Sequence, residues 1–181
     1  MKTYKVVVVG DAAVGKTSFV RRLTTGDFTP NYLPTLGCDV EPYRHKQVCL
    51  NFWDCAGASQ FQGLGIGYYG HANAAIIMFD TTSIRSFQSI KKWLALTTDI
   101  PVRVVCANKY DEKDRVVNTF DIQRLMRQCK APGVEWFEIS AKSMYNVPTV
   151  VSKIVSLVED HEMPDPITNK PFLGRVPRSK L

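Results

Sequence analysis

Residues Gly10 to Ser18 read GDAAVGKTS, a glycine, four residues, then Gly-Lys-Thr. The segment follows an apolar β-branched run, YKVVVVG, and leads into a helix-like stretch. Glycines at this spacing permit a loop whose backbone N–H groups, from Asp11 through Ala13, Val14 and Gly15 to Ser18, wrap around phosphate oxygens. The helix start adds its dipole. Lys16 would reach the outer phosphates, and the Thr17 hydroxyl would ligate magnesium. The alternative is an ordinary glycine-containing turn, against which the strand-before, helix-after setting argues. The chemistry is nucleotide binding, and this loop is silent on the base.

The base is addressed by two later segments. ANKYD, with Asn108, Lys109 and Asp111, ends one apolar run, and EISAK, with Ser140, Ala141 and Lys142, ends the next. Asp111 can accept from guanine N1–H and from the 2-amino group. Adenine offers neither donor and would leave the carboxylate unpaired. The Ala141 N–H would then meet guanine O6, which an adenine amino group would repel. Either segment alone is a common surface turn; together, at the ends of neighbouring strands, they read as a guanine site.

A third segment, WDCAGASQF, sets Asp54 three residues before Gly57 at the exit of another apolar run. If this pair senses a phosphate, the next residue sits where a hydrolytic water needs a polar partner. That residue is Ala58. Gln60, two positions on, could serve only if the loop shifted.

The elements that must hold these loops alternate. YKVVVVG, VCLNFWD, AAIIMFD, VRVVCAN and VEWFEIS read as buried strands. Between them lie helical stretches: one after Gly15, one over SIRSFQSIKKWLAL, one over FDIQRLMRQC and a last over VPTVVSKIVSLVED. Such alternation predicts an α/β fold, a mostly parallel sheet of about six strands with helices on both faces. DVEPYRHKQVCLNFWD has no helix between its halves, so it predicts a hairpin and one antiparallel edge strand. Two regions are expected: residues 1–160 as the nucleotide-binding domain, and 161–181 as an extended, proline-containing basic tail.

Composition narrows the class further. The chain has 181 residues, 45% hydrophobic and 22% charged, enough for one domain with a full core. The apolar runs are strand-sized, and no membrane span or secretory leader is expected. Five scattered cysteines read as reduced thiols. The net charge of +6 is not gathered into one block, so direct nucleic-acid binding is not expected. His45, His71 and His161 lack ligand spacing, and Trp53, Trp93 and Trp136 read as packing residues. Arg21 and Arg22 read as complements to a helix dipole.

The order GDAAVGKT, Thr35 in YLPTLG, DCAG, NKYD and SAK resembles the Ras superfamily of small GTPases over about residues 1 to 160. The resemblance implies a P-loop small GTPase fold and a GTP/GDP-dependent switch working with Mg2+. It implies that Thr35 joins Thr17 on the ion in the GTP state, and that Asp54 holds it through water. The Gly57 N–H would contact the γ-phosphate, and Phe28 would pack against guanine. Lys16, Thr35 and Gly57, with Ala58 at the position usually held by glutamine, would make up the catalytic set. Because Ala58 lacks the water-orienting amide, hydrolysis is expected to be slow; Ala12, where glycine is frequent, adds a methyl nearby.

YLPTLGCDV, WDCAGASQFQGLGIGYY, AIIMFDTTS, NKYDEKDR and ISAKSMYN are most similar to the Ran, nuclear-transport branch. That implies a monomer in nucleus and cytoplasm, with transport receptors, an exchange factor and a GTPase-activating protein as partners. A Rab-like trafficking switch shares Phe61, Tyr68 and Tyr69, and a hydrolysis-deficient pseudo-GTPase acting as scaffold or decoy is the other alternative. No cysteine follows Cys129, so no lipid anchor is expected. The tail is basic where the branch has an acidic one, and its final SKL matches a peroxisomal address, a minor alternative.

Overall fold

The computed structural model of the protein describes residues 1–30, 33–57, 67–129 and 131–161. Ala58, Gln60, Phe61 and nearly all of the expected tail lie outside the described residues.

Among the described residues six strands form one sheet in the order β2-β3-β1-β4-β5-β6. They are β1 (Lys2–Gly10), β2 (Cys38–His45), β3 (Val48–Cys55), β4 (Ala74–Asp80), β5 (Val102–Asn108) and β6 (Glu135–Glu138). Every pairing is parallel except β2 with β3, so the expected hairpin is present and β2 is the edge.

The unbroken apolar runs are explained by the pleat. Successive residues of a strand point to opposite faces, and both faces of this sheet are covered. Val6 and Val8, with Ile76, Met78, Val104 and Cys106, enter one core beside Phe19 and Ile154. Val7 and Val9, with Ile77, Phe79 and Val105, enter the other beside Trp93 and Ile122.

Among the described residues the helices with both ends defined that cover these faces are α1 (Lys16–Thr24), α2 (Ile84–Gln88), α3 (Ile90–Leu96), α4 (Thr119–Gln128) and α5 (Val147–Asp160). The periodic stretch 83–96, expected as one helix, is divided at Ser89. Helical hydrogen bonds still run across the junction, Ser89 N–H to Arg85 O at 3.1 Å and Trp93 N–H to Ser89 O at 3.1 Å. Helix α4 starts with a capping box, in which Asn118 accepts from the Asp121 N–H and Asp121 accepts from the Asn118 N–H. Helix α5 carries a proline in its first turn, where the missing N–H costs nothing.

The loops bearing Lys16, Gly57, Asn108 to Asp111 and Ser140 to Lys142 leave the carboxyl ends of parallel strands, on the side where open α/β sheets bind ligands, and the Thr35 segment joins them there on its way from α1 into β2. The loop after β1 lies between its neighbours β3 and β4.

Candidate functional site

The loop between β1 and α1 is shaped by close approach. Gly15 caps α1 with φ 95°, and a Cβ there would stand 2.3 Å from Asn108 Nδ2. A Cβ on Gly57 would come within 2.5 Å of both the Asp11 carbonyl carbon and Lys16 Nζ. Glycine is therefore required where the DCAG segment meets the phosphate-type loop, and the two backbones touch directly.

Lys16 is 6% exposed, and its ammonium donates to the carbonyls of Gly10 at 3.0 Å and Asp11 at 2.8 Å. Burial lowers its pKa to about 8, with Asp54 and Asp11 among the groups opposing the shift. A polyanion beside this buried cation would relieve that cost.

Next to it, three oxygen-bearing side chains converge. The Thr17 hydroxyl donates to Asp54 Oδ2 at 2.5 Å and stands 3.0 Å from the Thr35 hydroxyl, which itself lies 3.5 Å from Asp54 Oδ2. Asp54 is 1% exposed, and its Oδ1 has no hydrogen-bond partner among the described residues. Burial raises its carboxyl above the usual range despite the Thr17 hydrogen bond and the nearby Lys16 charge. An orphaned carboxylate oxygen beside two hydroxyls suits a hard divalent cation that keeps waters and phosphate oxygens as its other ligands. Thr17, Thr35 and Asp54 thus fit Mg2+, which when bound would neutralise phosphate charge.

The other end of the site is built by β5 and β6. Asn108 ties three loops together, donating from Nδ2 to Val14 O at 2.9 Å and accepting at Oδ1 from the Ala141 N–H at 3.0 Å. The Ala141 proton assigned above to guanine O6 therefore serves Asn108, and any base contact must share it. Asp111 Oδ1 accepts from the buried Ser140 hydroxyl at 2.6 Å, and Lys142 Nζ lies 3.5 Å from Oδ2. Burial opposes ionisation of Asp111, but the Ser140 and backbone hydrogen bonds and Lys142 together hold its carboxyl below the usual range. It is a fixed acceptor at neutral pH. Lys109 adopts φ 66°, and its ammonium pairs with Asp80 at 2.6 Å, which lays its stem along the site.

Many of these groups line one cavity of about 520 Å³, within the range that holds small-molecule ligands. Lys16, Thr17, Thr35 and Gly57 stand in its wall, as do Asn108, Asp111, Ala141 and Lys142. Ala13, Gly15, Ser18, Phe28 and Lys109 complete the expected set there. Asp11, Val14, Asp54 and Ser140 do not line it; they brace residues that do. Arg21, read above as a dipole complement, also faces the cavity.

Sequence reading missed the brace behind the loop. The Asp11 carboxylate turns away from the cavity and accepts from Ser89 Oγ at 2.7 Å and Trp93 Nε1 at 2.8 Å. No local signal marks these donors, although a tryptophan in a helix facing the loop was available to find one of them. Residues 5–160 match the family model described as the Ras family.

Proposed function

The chain belongs to the Ras family of GTP-binding switches, and from that premise we propose that it is a slowly hydrolysing, Ran-like switch in nuclear transport. The observation that carries guanine-nucleotide binding is one cavity with the buried Lys16 and the Thr17 and Thr35 hydroxyls, backed by Asp54, at one end and Asp111 at the other. Phosphates and Mg2+ belong at the first end and guanine at the second. The Ser140-braced carboxylate of Asp111 would accept from the two guanine donors that adenine lacks.

The segments bearing Thr35 and Gly57 are the switches in this reading, held by γ-phosphate and Mg2+ and released after hydrolysis. Slow turnover follows from Ala58, which supplies no amide to orient the attacking water. The transport role rests on sequence runs such as YLPTLGCDV and NKYDEKDR. Nucleus and cytoplasm are the corresponding compartments, with transport receptors, an exchange factor and a GTPase-activating protein as partners.

Capture from extract on protein loaded with a non-hydrolysable GTP analogue tests this. Importin-type receptors retained with the analogue and lost with GDP support the reading. Vesicle tethers in their place would establish the Rab-like alternative. A second reading, a pseudo-GTPase scaffold, is favoured by Ala58 alone; single-turnover assays with no phosphate release over hours would select it.

A further inference from the structure

Cys38 opens β2 and Cys55 closes β3, and the antiparallel register sets them opposite each other. One step along the ladder, the Ala56 N–H donates to Gly37 O at 2.9 Å. That bond makes Gly37–Ala56 a hydrogen-bonded rung and Cys38–Cys55 a non-hydrogen-bonded one, the pairing in which Cα atoms approach to about 4.5 Å in antiparallel sheets generally. Disulfides accept Cα separations from about 4.4 Å upward. The two Sγ atoms are 3.7 Å apart, and both thiols are free. The sulfurs have roughly 1.7 Å to close to reach a disulfide bond length of about 2.05 Å, a distance on the scale of side-chain rotation.

We propose that Cys38 and Cys55 form a reversible disulfide that fastens the Thr35 segment to the strand that carries Asp54 and leads into Gly57, and so makes nucleotide release redox-sensitive. Position sets the order of events. Cys38 is partly exposed and Cys55 is buried, so Cys38 meets the oxidant and Cys55 resolves the product. The hydrogen bond shared with Cys55, with a smaller contribution from the Lys5 ammonium, holds the Cys38 thiol below its ordinary pKa against burial and the Asp54 and Asp39 charges.

With hydrogen peroxide as oxidant, the Cys38 thiolate attacks one peroxide oxygen and the O–O bond breaks. Cys38 becomes a sulfenic acid, and the departing hydroxide takes up the proton the thiol had released. The Cys55 sulfur then attacks the Cys38 sulfur, the S–O bond breaks, and the leaving hydroxide carries off the Cys55 proton as a second water. Two thiols are oxidised by two electrons and one peroxide is reduced to two waters. A thiol reductant reverses the bond by exchange.

The consequence follows from chain distance. Thr35, whose hydroxyl meets Thr17, is tethered to Cys38 through Leu36 and Gly37 alone. A bond at Cys38 therefore shortens the segment that must swing for nucleotide to leave. This half rests on the guanine-nucleotide reading; the bond itself does not.

The test treats the full chain with hydrogen peroxide, alkylates remaining thiols and maps peptides without reduction. The expected result is a linked Cys38–Cys55 peptide that a thiol reductant abolishes. Release of a fluorescent GDP analogue from the oxidised protein slows about fivefold, equivalent to about 1 kcal/mol of barrier, and recovers on reduction. Cys38→Ser removes both effects while keeping the parent melting temperature, and Cys129→Ser keeps both. Sulfinic acid at Cys38 with no linked peptide overturns the proposal. A linked peptide with unchanged release overturns the control of nucleotide. A linked peptide in a chain that binds no guanine nucleotide supports the bond and refutes the nucleotide reading instead.

Discussion

Trp93 reaches back 82 residues to the phosphate-type loop and donates its indole N–H to Asp11 Oδ1 at 2.8 Å. The indole is 1% exposed, so the bond has little competition from water. Ser89 on the preceding turn satisfies the other carboxylate oxygen. The Asp11 carbonyl in turn receives the Lys16 ammonium. Helix α3 thereby sets the loop that cradles phosphate.

Trp93→Phe keeps most of the ring volume and removes the donor. A hydrogen bond to a charged group is worth about 1.5–3 kcal/mol, so thermal unfolding of the variant should fall by several degrees. Release of bound GDP should quicken, because the loop loses its anchor. Unchanged melting and release would show that Ser89 alone holds Asp11.

Lys16 provides a pH signature. Its pKa is about 8 in the nucleotide-free protein, and adjacent phosphates favour the charged form. The bound state then holds more protons than the free state above pH 8, so binding takes up protons and affinity falls as pH rises past that value. Calorimetry at pH 8.5 in buffers of different ionisation enthalpy should give proton uptake, and Lys16→Met should remove it. Proton release on binding would contradict the assignment.

Asp111→Asn replaces the guanine acceptor with an amide that cannot accept from both donors. GTP affinity should fall tenfold or more, about 1.4 kcal/mol or above. Xanthosine triphosphate should bind this variant better than GTP does. Equal GTP affinity in variant and parent would remove the base-reading role.

Ala58→Gln restores a water-orienting amide. The single-turnover rate should rise roughly tenfold, about 1.4 kcal/mol of barrier, while GTP affinity stays nearly constant. Gln60→Ala is the control, and should leave the parent rate unchanged. If that control alone slows the parent, Gln60 positions the water. A rate insensitive to both substitutions would end the slow-switch account.

Much of the architecture was legible because it is local. The runs AAIIMFD and VRVVCAN became β4 and β5 with the expected ends, and VPTVVSKIVSLVED became α5. Unbroken apolar runs and period-3.6 patterns reflect burial of one element against its neighbours, which each segment carries in its own residues. The loop motifs were legible for the same reason, since glycine spacing and a following helix start are local conditions. What the tertiary structure alone decided are partnerships between distant segments. Asp11 looks like a phosphate-loop residue by position, yet its carboxylate faces Ser89 and Trp93. The Ala141 N–H looks free for a base, yet Asn108 takes it. Cys38 and Cys55 look like two of five scattered thiols, yet the β2–β3 register sets them 3.7 Å apart. A hydrogen-bonding side chain has several chemically equivalent partners along the chain. Strand order and register choose among them, because buried polar groups must pair with whatever the packing brings within about 3 Å.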